Sequence, residues 1–205
     1  MRITVFGSTS RTGRHVLSQG LRRGHEIIAF SRRPHTLDDP SALAAEVHGD
    51  ARDPVAVGRA VEGADAVITI INGGTRKDPH RYADACRTIT RAITEGGVKR
   101  LVVTSAYPVV ATEPRLAMAL LRRLLATPYA DLAAMEEIVS TSSLEWTIVR
   151  LNRLTNAPAT GNVIVRPGLL ATARPISPAD VAATLLDLAQ DTATARSAVN
   201  VSGGV

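Results

Sequence analysis

The residues of this chain that could do chemistry sit at the ends of its apolar runs. The stretch "GSTSRTG" (7–13) sets Gly7, Thr9, Ser10, Arg11, Thr12 and Gly13 between the apolar "RITVF" and a helical pattern. A helix N-terminus offers unpaired amides and the positive end of its dipole, so such a turn can hold a pyrophosphate. Glycine there permits a tight turn and close approach of phosphate to backbone, while the hydroxyls and Arg11 add donors and charge. The next apolar run ends in "AFSRRP", with Arg32 and Arg33 where a carboxylate would select a free ribose 2′-OH. A guanidinium instead pairs bidentately with a 2′-phosphate. Asp50, followed by Ala51, could accept a hydrogen bond from an adenine amino group. Asn72, Gly73 and Gly74 leave room for a cofactor backbone, and "TSAYP" offers Thr104, Ser105 and Tyr107 where a nicotinamide ring would lie.

Each feature also has a plainer explanation. The two glycines suit an ordinary strand-to-helix turn, Arg32 and Arg33 a solvated loop, and Asp50 an Asx turn. Gly73, Gly74 and Tyr107 could serve packing alone. Position favours the binding reading, because the glycine turn directly follows a strand at the start of the sequence.

The elements that must carry these residues alternate between strand and helix. Strands are expected at 2–7, 25–30, 45–50, 64–71, 99–106, 145–151 and 163–167, with a last, edge strand at 198–202. Helices are expected at 12–23, closed by Gly24, and at 53–63, 80–96, 114–126, 129–142 and 177–191. Asp53 with Pro54, and Ser177 with Pro178 and Asp180, are helix-start signals. The strands read as continuous apolar runs, which suits a parallel sheet covered on both faces. The pattern predicts one α/β domain over 1–205, Rossmann-type and doubly wound around a mainly parallel sheet. Ligands in such sheets sit beyond the strands' carboxyl ends, where the strand order reverses.

Composition narrows the function classes. Of 205 residues, 45% are apolar and 3% aromatic, which excludes a disordered chain and asks for an aliphatic core. Cys86 is the sole cysteine, so neither an internal disulfide nor a thiolate metal cluster can form, and no histidines pair at metal-ligand spacing. The net charge of +5 is carried by dispersed arginines without interleaved aromatics, which argues against nucleic-acid binding. No apolar run is long enough for a signal peptide or a bilayer span. The expected setting is the cytoplasm and the expected partner a small molecule, with no membrane, no nucleic acid and no metal, in a monomer or homodimer.

Taken together, these motifs resemble the atypical short-chain dehydrogenase/reductases, in particular the NAD(P)H-binding, NmrA-like group that includes biliverdin and flavin reductases. "GSTSRTG" resembles the group's Gly-Ala-Thr-Gly-x-Thr-Gly, with Ser10 in place of the middle glycine. "FSRR" resembles its cofactor-selecting turn, which implies Arg32 on the 2′-phosphate of NADP(H). "VKRLVVTSAY" matches its fifth strand and implies Ser105 beside the nicotinamide. "MEEIVSTSSLEWTIVRLNRLT" is similar to its "SGLxWTIVRPxxLT", with Leu151 in place of proline and Asn152 after it at the cofactor.

The chain departs from the main-line enzymes in lacking a Tyr-x-x-x-Lys pair: Tyr82, Tyr107 and Tyr129 are followed four residues on by Cys86, Ala111 and Ala133. Ketone reduction creates a strongly basic alkoxide and benefits from a positioned acid. Flavin or quinone reduction creates a delocalised anion that water can protonate. The expectation is therefore an NADPH-dependent oxidoreductase acting on a conjugated acceptor, with Ser105 and Tyr107 as the catalytic candidates. Arg153 is a candidate for holding an anionic substrate, or else a surface residue. The acceptor pocket is expected from residues about 105–130 and 150–175, with helix 115–126 and the stretch 152–162 as its walls. A non-catalytic NADP sensor, and a carbonyl reductase or epimerase using Tyr107 as acid, are the alternatives.

Overall fold

The structure, a computed structural model, describes residues 1–33, 40–111, 113–170 and 172–204, with backbone alone at Pro40, Ala117 and Arg122. The strands are β1 (Arg2–Phe6), β2 (Glu26–Ser31), β3 (Ala45–His48), β4 (Ala66–Thr69), β5 (Arg100–Ala106), β6 (Glu145–Leu151), β7 (Val163–Arg166) and β8 (Ser197–Gly203). The helices are α1 (Arg11–Arg22), α2 (Pro54–Val61), α3 (Arg81–Glu95), α4 (Arg115–Leu124), α5 (Ala126–Ser140) and α6 (Pro178–Gln190). One sheet runs in the order β3-β2-β1-β4-β5-β6-β8-β7, parallel throughout except where β7 meets β8. This is the doubly wound single-domain α/β fold expected from the alternation.

Both faces are covered, which explains the continuous apolar runs. Phe6, Phe30, Val67, Leu101, Val103 and Ile148 pack under α2, α3 and α5. Ile3, Val5, Ile27, Ile68, Val102 and Val149 pack under α1 and α6. The helix-start signals act as written. Asp53 caps α2 through the Val55 amide at 2.9 Å, and Ser177 caps α6 through the Asp180 amide at 3.0 Å. At α3 the capping group comes from elsewhere: the buried carboxylate of Asp131, on α5, accepts from the Tyr82 and Ala83 amides at 2.8 and 2.9 Å. That pins the two helices covering the β4–β5 end of the site.

The edge position needs correction. β8 lies inside the sheet between β6 and β7, and β7 is the edge. The reason is legible in retrospect: Val199, Asn200, Val201 and Ser202 are all buried, whereas "VIVR" is half-exposed and runs straight into Pro167. Helix α4 also differs from its expected role. Leu116, Leu120 and Leu124 recur every four residues on one face and are 88%, 60% and 71% exposed.

Candidate functional site

The strand order reverses between β1 and β4, and a cleft opens over the carboxyl ends of those strands. Two adjoining cavities of about 270 and 320 Å³ share Ser10, Ile70, Ile71 and Asn72. The first extends toward β2 and β3, the second toward β5 and β6.

Backbone geometry fixes the turn entering α1. Gly7 takes φ +78°, and a Cβ there would lie 2.1 Å from the Ile70 carbonyl oxygen, so β1 and β4 can approach only with glycine. A Cβ on Gly13 would lie 2.4 Å from the Gly7 carbonyl oxygen; this glycine packs the helix onto its own turn and does not line the cleft. Ser10 needs no glycine, since its φ is −67°. It is the N-cap of α1, and its Oγ accepts the Gly13 amide at 3.0 Å. The first-turn amides of Arg11 and Thr12 have no partner within the helix. Thr9 lines the first cavity and Thr12 the second. Arg11 lines the second and reaches across to hydrogen-bond the Asn156 side-chain oxygen, tying the turn to the stretch after β6.

The first cavity is lined by arginines in two different states. Arg32 and Arg33 face it and form no ion pair among the described residues. Arg52 is paired twice, with Asp50 at 2.8 Å and with Asp78 at 3.2 Å, and Arg81 joins Asp78 at 3.2 Å. Asp50 accepts from the Arg52 guanidinium and from its amide, so the Asx turn is present and the carboxylate still faces the cavity beside Ala51. The Arg52 hydrogen bonds hold the Asp50 carboxyl at about 2, against opposing desolvation and with help from nearby Arg32. Cations without an ion-pair partner beside a cavity favour an anionic ligand there, and among the described residues Arg32 and Arg33 are such cations.

Asn72 and Gly73 line the second cavity, but the glycines answer to packing. A Cβ on Gly73 would meet the Pro128 carbonyl oxygen at 2.7 Å, and one on Gly74 the Pro79 carbonyl oxygen at 2.2 Å. Gly74 does not line either cavity.

Thr104, Ser105, Leu151 and Asn152 all line the second cavity. Leu151 continues β6 by pairing with Ala106 and Val201, and Asn152 binds the Arg174 carbonyl at 2.7 Å. Ser105 donates to Glu136 at 2.6 Å, and Arg150 holds that carboxylate at 2.6 Å. The remaining candidates lie apart. The Tyr107 ring is buried outside both cavities, and its oxygen accepts the Leu170 amide at 3.0 Å. Arg153 is exposed and lines neither cavity. No described side chain of α4 lines them; from the stretches expected to form the pocket come Ser105, Ala106, Leu151, Asn152 and Leu154, joined by Leu132 of α5. Thr112 and Ala171, inside those stretches, lie outside the described residues.

Cys86 and Tyr82 are core residues, their ionisation pushed up by burial. Among the described residues no cluster of His, Cys, Asp and Glu could hold a metal, and no helix is long and apolar enough to cross a membrane.

The cleft at the strand reversal, the open first-turn amides and the unpaired arginines at its β2 end fit a nicotinamide dinucleotide. Residues 7–192 match the NAD(P)H-binding family. The chain belongs to that family. An uncharacterized protein of Mycobacterium tuberculosis is 29% identical over 150 residues, which are 73% of this chain but 14% of that protein, so the chain spans a small part of this relative. Three solved structures share the fold at low identity. The oxidoreductase ylbE from Lactococcus lactis has a TM-score of 0.85 at 21% identity, covering 100% of this chain and 91% of its own. A short-chain dehydrogenase/reductase from Veillonella parvula in complex with NADP scores 0.83 at 19%, covering 98% and 94%. ChuY, an anaerobillin reductase from Escherichia coli O157:H7, scores 0.82 at 20%, covering 99% and 97%.

Sequence reasoning missed Arg52, Arg81, Glu136 and Arg150. The last two carried a signal. In α5, Leu132, Met135 and Val139 form the buried stripe, and Glu136 follows Leu132 by four, on the same face. Arg150 sits two residues past Ile148 in β6, on the face that packs under α5. A carboxylate and a guanidinium, each on the buried face of its element, are each other's natural counterion.

Proposed function

We propose that this chain is an NADPH-dependent oxidoreductase that delivers hydride to a conjugated small-molecule acceptor of the flavin or quinone type. Preference for the 2′-phosphate is supported by Arg32 and Arg33, which face the cavity without an ion-pair partner among the described residues while neighbouring Arg52 and Arg81 are paired. The acceptor class is supported by one observation. Both hydroxyls that could act as acids are engaged within the protein: Ser105 donates to Glu136, and Tyr107 is tied to the backbone of Leu170.

When bound, the reduced nicotinamide supplies a hydride, two electrons and one proton to the acceptor. A quinone or oxidised flavin then needs one further proton, which water can give to a delocalised, weakly basic anion. A ketone would generate an alkoxide, for which a positioned acid matters. The protein's part is to orient and to exclude water. The phosphate turn, Arg32 and the β5–β6 ends hold the dinucleotide along the cleft, and Leu132, Leu151 and Leu154 form an apolar wall beside Ser105. The ChuY likeness agrees with a reductase, and the Veillonella parvula structure with NADP as ligand.

NADPH oxidation followed by absorbance, with flavin, quinone and ketone offered separately, tests this reading. Turnover is expected with flavin or quinone and at least about 100-fold less with ketone, the lower end of what a positioned acid contributes. Preferential ketone turnover would favour the carbonyl reductase, and tight NADP binding with no turnover on any acceptor would favour the sensor.

A further inference from the structure

We propose that Glu136 is a positioning residue, which fixes the Ser105 hydroxyl as a hydrogen-bond acceptor toward the cleft and so reserves it for the carboxamide N–H of the nicotinamide. The inference rests on the family's cofactor and on the placement of Ser105 given above, but on no particular acceptor.

Ser105 and Arg150 are register partners on adjacent strands β5 and β6, and α5 lays Glu136 over both. Ser105 Oγ lies 2.6 Å from Glu136 Oε1. Arg150 Nε donates to Oε1 at 3.0 Å and to Oε2 at 3.2 Å, and Nη2 donates to Oε2 at 2.6 Å. Both carboxylate oxygens are thus engaged by a planar donor fork, which stops the group from rotating away. Ser105 and Glu136 are 6% and 8% exposed, so water competes little for either.

A serine hydroxyl has one hydrogen and two lone pairs. The carboxylate can only accept, so the hydrogen is directed at Glu136 and the lone pairs are what remains for the cavity that Ser105 lines. A ligand group meeting them must carry N–H or O–H. The primary carboxamide of nicotinamide carries N–H, whereas the carbonyl oxygen of a ketone, quinone or flavin offers only lone pairs. The Glu136–Arg150 pair therefore makes Ser105 a reader of the cofactor and not an acid toward the acceptor. Glu136→Gln reverses this polarity: Arg150 retains the amide oxygen, the amide N–H faces Ser105, and the serine hydrogen turns to the cleft.

The test compares binding of NADPH with binding of 2′-phospho-ADP-ribose, which lacks the nicotinamide, and needs no turnover. Should the chain prefer NADH, then NADH and ADP-ribose take their places, so failure of the 2′-phosphate reading does not obscure the result. E136Q and S105A are each expected to weaken NADPH about five- to tenfold, the worth of one buried hydrogen bond. Both should leave 2′-phospho-ADP-ribose within about twofold, and E136Q/S105A should bind NADPH no worse than S105A, because Glu136 acts through the serine. Unchanged NADPH affinity in E136Q, equal losses for both ligands, or additive losses in the double variant would each overturn the proposal. If E136Q fails to fold, E136Q/R150M removes both buried charges together and releases the Ser105 hydroxyl from its fixed orientation, so NADPH is still expected to weaken while 2′-phospho-ADP-ribose does not, and unchanged NADPH affinity overturns the proposal.

Discussion

The two halves of the cleft are built on opposite electrostatic plans. Toward β2 and β3 the charges lie near solvent: the side chains of Arg52 and Asp50 are 40% and 43% exposed, and Arg32 and Arg33 have no anionic partner among the described residues. Toward β5 and β6 the charges are withdrawn, with Arg150 and Glu136 at 17% and 11%, and a neutral hydroxyl is what reaches the cavity. The first half is suited to recognising a charged group that arrives with the ligand. The second is suited to orienting an uncharged ring, where a stray charge would bind water or a wrong ligand. A nicotinamide dinucleotide has that same asymmetry, phosphorylated at one end and neutral or singly charged at the other.

The contrast predicts very different costs for breaking an ion pair. Arg150→Ala leaves the Glu136 carboxylate buried without its cation and is expected to lower stability by about 3 kcal/mol, on the order of 10 °C in melting temperature. Arg52→Ala removes two pairs near solvent, at 2.8 and 3.2 Å, and should cost under about 1 kcal/mol. The pH dependence of that cost is confined to acid. Asp50 has a depressed folded-state value of about 2, so its contribution is present above the ordinary carboxylate range and is lost as pH falls toward 2. In Arg52→Ala the fall in stability between about pH 4 and 2 should be shallower. Equal losses for the two variants at about pH 7, measured by chemical denaturation, would refute the difference in burial.

Arg32 probes the charged half directly. Arg32→Ala should weaken NADPH about 30-fold, as expected for roughly 2 kcal/mol from a charge-assisted hydrogen bond, and NADH less than about twofold. Melting temperature should not fall, because Arg32 holds no ion pair among the described residues to lose. Parallel titrations with the two cofactors decide this, and equal losses would remove the 2′-phosphate from the argument.

The charged half was also the more legible half in sequence. Glycine with φ > 0, arginines after a strand and an Asp-Pro helix start are local signals, each read within a few neighbouring residues. The order of the last strands, the exposure of α4 and the Ser105–Glu136–Arg150 contact depend on elements that meet only in three dimensions. Ser105 and Glu136 are 31 residues apart, and Asp131 caps a helix that begins 50 positions before it. What could be read was that Glu136 and Arg150 each fell on an apolar face of its own element. What could not be read was that those faces met. At Gly73 and Gly74 the local pattern suggests a ligand, and the fold adds close contacts with proline carbonyls while Gly73 also lines the second cavity.

Ser10 stands between the two halves, lining both cavities where the motif that this turn resembles has glycine. Its φ of −67° removes any conformational need for glycine, and one of its two lone pairs is occupied by the Gly13 amide. The hydroxyl hydrogen remains, beside the first-turn amides of α1, as a further donor for a phosphate oxygen. Ser10→Gly should therefore weaken NADPH about fivefold, the worth of one hydrogen bond, while stability falls by only a few tenths of a kcal/mol. Ser10→Ala should show the same binding loss with about 1 kcal/mol of stability lost, because alanine provides no cap. Calorimetric titration and thermal melting of the two variants separate the roles. If Ser10→Gly binds NADPH as well as the parent or better, the hydroxyl is a cap alone, and the charged half of the cleft ends at Arg32.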